Sequence, residues 1–132
     1  MVFVLDVSTS MQVRDMQGAS RLEAAKEYIQ EILIQYPHSR AALTVFAGDS
    51  LRVLPFTQER DLFLTFLEAV DEHNVSKQGT RIDLALQDAI ENFYDTQEGT
   101  IIVLSDGDDR KTILPESLLE KSRGLNLDIV FV

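Results

Sequence analysis

The apolar positions of this chain follow two periods in alternation. The run "VFVLDV", residues 2–7, is short, rich in β-branched residues and apolar on both faces, as a central strand of a covered sheet requires. Residues 21–36 instead repeat at helical spacing through Leu22, Ala25, Ile29, Ile32 and Leu33. Ser20 followed by Glu23 predicts a capping box at the start of that helix, and Pro37 closes it. "AALTVFAGDSLRVLPF" reads as two strands around a tight turn at Ala47–Ser50. Helical patterns return over 59–70 and 82–95, the latter with Ile82, Leu86, Ala89, Ile90 and Phe93 on one side. "TIIVLSDGDD" is another apolar strand ending in acids, and a helix at 115–123 precedes the last strand, "LNLDIVFV".

Helices alternating with two-faced apolar strands predict an α/β fold, a mostly parallel sheet with helices on both faces and one antiparallel strand at an edge. No repeat or low-complexity linker divides residues 1–132, which read as a single domain. Right-handed crossovers bring the C-terminal ends of the parallel strands to one side of such a sheet. Ligands of open α/β sheets bind there, where the strand order reverses.

Composition narrows the chemistry. Twelve basic and 22 acidic residues give a formal charge of −10, the wrong sign for a phosphate-binding stripe, so nucleic acid is excluded as a partner. The chain has no cysteine, which removes disulfides, thiolate catalysis and sulfur-ligated metals. No apolar run reaches the length of a membrane span, and Val2–Leu5 are too few for a signal peptide. His38 and His73 have no Cys or His partner at ligand spacing and are expected at the surface.

Oxygen ligands remain, in three loops expected at the same end of the sheet. The first strand runs into Asp6, Ser8 and Ser10, alternate positions that face one side as the strand ends. "SKQGTRID", residues 76–83, offers Thr80 behind Gly79, and "SDGDD", residues 105–109, offers Asp106 in a position taken as equivalent to Asp6. Carboxylates and hydroxyls without sulfur or imidazole select a hard cation such as Mg²⁺. So few carboxylates would leave that ion short of negative charge and open to an anionic oxygen from outside. Each piece also has an ordinary role: Ser8 and Ser10 as turn residues, Thr80 as a helix N-cap, Asp106-Gly107 as a turn. The conjunction of all three favours the ion.

These residues resemble the von Willebrand factor A (VWA) domains, whose metal-ion-dependent adhesion site (MIDAS) combines Asp-x-Ser-x-Ser, a threonine in a second loop and an aspartate in a third. Asp6, Ser8, Ser10, Thr80 and Asp106 match those positions. "DVSTSM", "SRLEAAK", "LTVFAG", "LPFT" and "QGTRIDLAL" look most like bacterial aerotolerance-type (Bat) VWA domains. The resemblance implies a Rossmann-like three-layer sandwich with bound Mg²⁺ or Mn²⁺. It also implies a non-enzymatic role in adhesion or complex assembly, in which a partner protein offers a Glu or Asp carboxylate to the metal. The expected setting is the bacterial cell envelope, with the domain extracytoplasmic and tethered by membrane segments elsewhere in the parent protein. Family members continue into a further strand and C-terminal helix; a chain stopping at Val132 reads as a shortened version, its last strand an edge open to self-association.

Two other readings compete. A metal-dependent hydrolase or phosphoryl-transfer enzyme would use the same acids, but no nucleophile–base pair or phosphate-cradling loop accompanies them. A scaffold with a vestigial metal site would keep the fold alone. Arg81, next to Thr80, is the candidate specificity contact for a partner, with a surface arginine at a helix start as its plainer reading. Asp108 extends the acidic lip of the third loop, as a filter on partners or as a turn acid. Asp15, in the loop "MQVRDMQGASR", could reach the site but is expected to be solvated, and Phe46, Phe56, Phe63, Phe66 and Phe93 are expected in the core.

Overall fold

A computed structural model describes residues 1–93 and 99–106, and the backbone of 127–131. The first apolar run forms β1 (Val2–Asp6), with every residue buried. α1 (Arg21–Gln35) follows, then the hairpin of β2 (Ala41–Phe46) and β3 (Ser50–Thr57). Next come α2 (Arg60–Ala69), α3 (Ile82–Glu91), β4 (Gly99–Leu104) and β5 (Leu127–Phe131). The sheet order is β3-β2-β1-β4-β5; β3 alone is antiparallel and it lies at an edge. Pro55 within β3 is tolerated there, because an edge strand can leave one side of its ladder unpaired.

β1 divides the core by alternation. Phe3, Leu5 and Val7 face α1 and α2, packing with Leu22, Ile29, Phe63 and Leu67. Val2 and Val4 face α3, packing with Ile82, Leu86, Ala89 and Ile90. Phe3 and Phe63 meet edge to face at 5.9 Å between centroids. The expected α/β sandwich is therefore the observed one, with helices on both faces. The capping box is also present: Ser20 Oγ accepts from the Glu23 amide at 3.1 Å, and Glu23 accepts from the Ser20 amide at 2.9 Å.

Some expectations shift. The second and third helices are shorter than 59–70 and 82–95, beginning at Arg60 and ending at Glu91. Phe66 is 39% exposed on α2 and not in the core, and Phe56 is half-buried against Phe93 at 5.3 Å. The helix expected at 115–123 lies outside the described residues. β5 borders only β4 among the described strands.

The chain runs from β1 to β2 on one side and reaches β4 on the other, so the strand order reverses between β1 and β4. The C-terminal tips of these two strands carry the candidate site.

Candidate metal site

Asp6 ends β1 with no exposed surface, a costly place for a carboxylate unless hydrogen bonds support it. Its Oδ1 accepts from the Ser8 amide at 2.8 Å, a bond formed because the chain turns into a 3₁₀ segment at Thr9–Gln12. That turn also brings the Ser8 and Ser10 hydroxyls to 3.1 Å from each other. The other oxygen, Oδ2, accepts from the Ser105 hydroxyl at 2.7 Å.

The β1–β4 register corrects one expectation. It pairs Leu5 with Leu104, so the next step sets Ser105 across from Asp6, with Asp106 one residue further on. Ser105 was missed as a site residue, although aligning "VFVLD" with "IIVLS" would have found it. The Asp106 carboxylate is nonetheless close by and only 1% exposed. Burial holds the Asp6 carboxyl above the usual carboxylate range, and the neighbouring charge of Asp106 pushes the same way against the hydrogen bonds from Ser8 and Ser105.

Thr80 lies half-buried at the end of the second loop. It is not the N-cap of α3; Arg81 holds that position, without a side-chain cap bond. Among the described residues Thr80 makes no hydrogen bond to the Asp6 cluster; its loop is instead pinned to the β2–β3 hairpin. The Arg81 amide donates to the Ala47 carbonyl at 2.6 Å and the Gly48 amide to the Lys77 carbonyl at 2.9 Å. Gly79, at φ +128°, places its backbone against Gly48, and a Cβ on Gly48 would lie 2.2 Å from the Gln78 carbonyl oxygen. Gly48 is thus a contact point between two loops as well as a turn residue. Because Val7 also donates to the Phe46 carbonyl at 2.8 Å, the hairpin links the second loop to the tip of β1.

Arg81 grips Asp83 with two bonds of 2.9 Å, which hold the Asp83 carboxyl below its ordinary range. Asp108 lies outside the described residues. Asp15 is engaged and not merely solvated: Arg21 binds it through Nε and a terminal nitrogen, the shortest bond 2.8 Å, and reaches Asp106 Oδ2 with its other nitrogen at 3.1 Å. Asp71, Glu72 and His73 bring potential ligand atoms within 4.8 Å of one another, on a surface turn before the second loop. No helix among the described residues is long and apolar enough to cross a membrane.

The donors gathered around Asp6 are carboxylate and hydroxyl oxygens, with the Asp106 carboxylate paired to Arg21. The donor set therefore fits a hard divalent ion.

Known proteins resemble this chain in structure or in sequence. The BatB protein of Bacteroides thetaiotaomicron superposes with a TM-score of 0.84 at 30% identity, over 98% of this chain and 63% of its own. An aerotolerance-related membrane protein of Bacteroides fragilis gives 0.85 at 28% identity, over 98% of this chain and 64% of its own. An uncharacterized protein of Borreliella burgdorferi is 31% identical over 97% of this chain, which spans 38% of that relative's length. The model of the von Willebrand factor type A domain matches residues 1–108, and with solved neighbours of the Bat type the chain belongs to the von Willebrand factor type A domain family.

Proposed function

We propose that residues 1–132 are a single divalent-cation-dependent protein-interaction domain, with Mg²⁺ or Mn²⁺ held by Asp6, Ser8, Ser10, Thr80 and Asp106. The observation that carries this reading is the fully buried Asp6 carboxylate at the reversal of strand order, beside the Ser8–Ser10 hydroxyl pair and the equally buried Asp106 carboxylate. Asp6 and Asp106 supply the charge, while the hydroxyls of Ser8, Ser10 and Thr80 supply short neutral oxygens. Ser105 steadies Asp6, and the Gly48–Gly79 contact sets the position of the second loop. A bound ion would supply Lewis-acid attraction for one more carboxylate oxygen, offered by a Glu or Asp of a partner protein. Arg81, exposed beside Thr80, would contact that partner, and Asp108 is a second proposed partner contact.

Family membership supports an interaction domain over an enzyme. Two of the solved relatives are named as membrane or membrane-spanning proteins, and this chain spans only part of each. That supports an envelope setting in which the tether lies outside the matched part.

Titration calorimetry and thermal unfolding with MgCl₂ or MnCl₂ test the reading. Saturable binding and a raised Tm are expected for the wild type, and loss of both for Asp6→Ala and Ser8→Ala. A wild type indifferent to both ions would leave the vestigial scaffold as the better description.

A further inference from the structure

An arginine at the first position of a helix is locally unfavourable. The amide ends of α1 already carry partial positive charge, and acids are favoured there. Arg21 nevertheless opens α1, directly after the Ser20 cap. A residue placed against its local preference calls for a reason from elsewhere in the fold.

The reason lies in its two partners. Nε and one terminal nitrogen of Arg21 hold Asp15, and the other terminal nitrogen holds Asp106, so one guanidinium joins the first site loop to the third. Asp15 is brought back to Arg21 by a small hairpin. Met16 pairs with Ala19 around Gln17 (φ 56°) and Gly18 (φ 90°), and the Arg21 amide bonds the Val13 carbonyl at 3.1 Å. The two carboxylates differ in burial: Asp15 is 46% exposed, Asp106 only 1%. Arg21 therefore has a solvated anchor and a buried client. A cavity of about 370 Å³, lined by Met11, Met16, Ala24, Tyr28 and Arg21 itself, borders Asp106 and gives the guanidinium room to pivot about its anchor.

We propose that Arg21 is a resident counter-cation of the site, tethered by Asp15, which competes with the divalent ion for Asp106 and so sets the domain's cation affinity. The inference rests on the cation reading above and deepens it. A guanidinium stays charged across the physiological range, so Arg21 competes wherever the carboxylate it holds is ionised. It weakens ion binding, and it shields Asp6 and Asp106 from each other when no ion is bound.

The test is Mg²⁺ and Mn²⁺ titration by calorimetry, with Tm measured in EDTA and in saturating metal. Arg21→Gln is expected to tighten the Kd about tenfold, equivalent to about 1.4 kcal/mol, while lowering the Tm in EDTA and enlarging the metal-induced rise. Arg21→Lys keeps the charge but cannot hold both carboxylates at once, and is expected to tighten the Kd about threefold. If Arg21→Gln fails to fold, the lysine variant decides the matter. Arg14→Gln is the control: it removes the same charge from the exposed hairpin, where Arg14 bonds the Gly18 carbonyl, and should change the Kd less than twofold. An unchanged or weaker Kd in the Arg21 variants overturns the proposal, as does equal tightening by Arg14→Gln. Absence of any binding by the wild type is a different result, which overturns the cation reading itself.

Discussion

Replacing Gly48 with alanine tests how the second loop is held. A Cβ at this position would sit 2.2 Å from the Gln78 carbonyl oxygen, and 2.8 Å from both the Gln78 carbonyl carbon and the Lys77 carbonyl oxygen. All three obstacles are backbone, so no side chain can rotate away; loop 77–79 or the hairpin must move by about 1 Å to restore normal contact. Such overpacking costs about 1–3 kcal/mol. The same movement strains two backbone hydrogen bonds, Gly48 to Lys77 and Arg81 to Ala47, worth about 1 kcal/mol each. Lower entropy of the unfolded alanine chain returns about 0.4–1 kcal/mol. A net loss of about 2–4 kcal/mol is expected, readable as a lower urea midpoint at unchanged m-value. Because Thr80 rides on the displaced loop, Mg²⁺ affinity should fall as well. Gly18→Ala provides the comparison: its φ is 90° but nothing lies within 4 Å of the added carbon, so only backbone strain of about 1–2 kcal/mol applies and the metal response should persist. A Gly48→Ala protein within about 0.5 kcal/mol of wild type, the ordinary range for a neutral surface change, would refute the loop-clamp argument.

Two further outcomes follow from the same structure. Asp6→Asn should stabilise the metal-free domain at pH 7 by on the order of 1 kcal/mol while abolishing its response to Mg²⁺, since an amide can still accept from Ser8 and can donate to Ser105 without burying a charge. The sign follows from the raised carboxyl: ionised Asp6 costs stability above its folded pKa, and that cost disappears below the unfolded value of about 3.8, so the asparagine's advantage in urea melts should vanish in strong acid. Ser20→Ala should lower stability by about 1 kcal/mol through loss of the cap on α1, with Mg²⁺ affinity altered less than twofold; an unchanged urea midpoint would contradict the capping role.

Much of this fold was legible because its signals are local and mutually consistent. "VFVLD" is apolar on both faces because helices cover both faces, and Ser20 with Glu23 announces a helix start whose two capping bonds are both present. Phe66 was misplaced because helical spacing shows which residues share a face, and cannot show that α2, packed on β2 and β3, leaves that residue exposed. The proposed ligand residues could be grouped from the sequence because three separate strand and helix ends carried oxygens. What holds them in place was not. Ser105 required the register of two parallel strands, a non-local quantity, although the matched apolar quartets before Asp6 and Ser105 encode it.

Gly48 and Arg21 were hidden for a deeper reason. In the sequence Gly48 satisfies a hairpin turn completely, so nothing signals that its missing Cβ also makes room for a loop thirty residues on. Arg21 reads as an ordinary exposed residue of a helix start, and only its conflict with the helix dipole hints at anything else. Both residues act by joining loops that the chain order keeps apart: Gly48 the hairpin and the second loop, Arg21 the first and the third. A site proposed to be assembled from three loops needs such ties, because neighbouring buried carboxylates such as Asp6 and Asp106 repel each other. On the proposed reading the oxygens define which cation would fit, whereas the glycine contact and the guanidinium bridge set how ready they are to receive it.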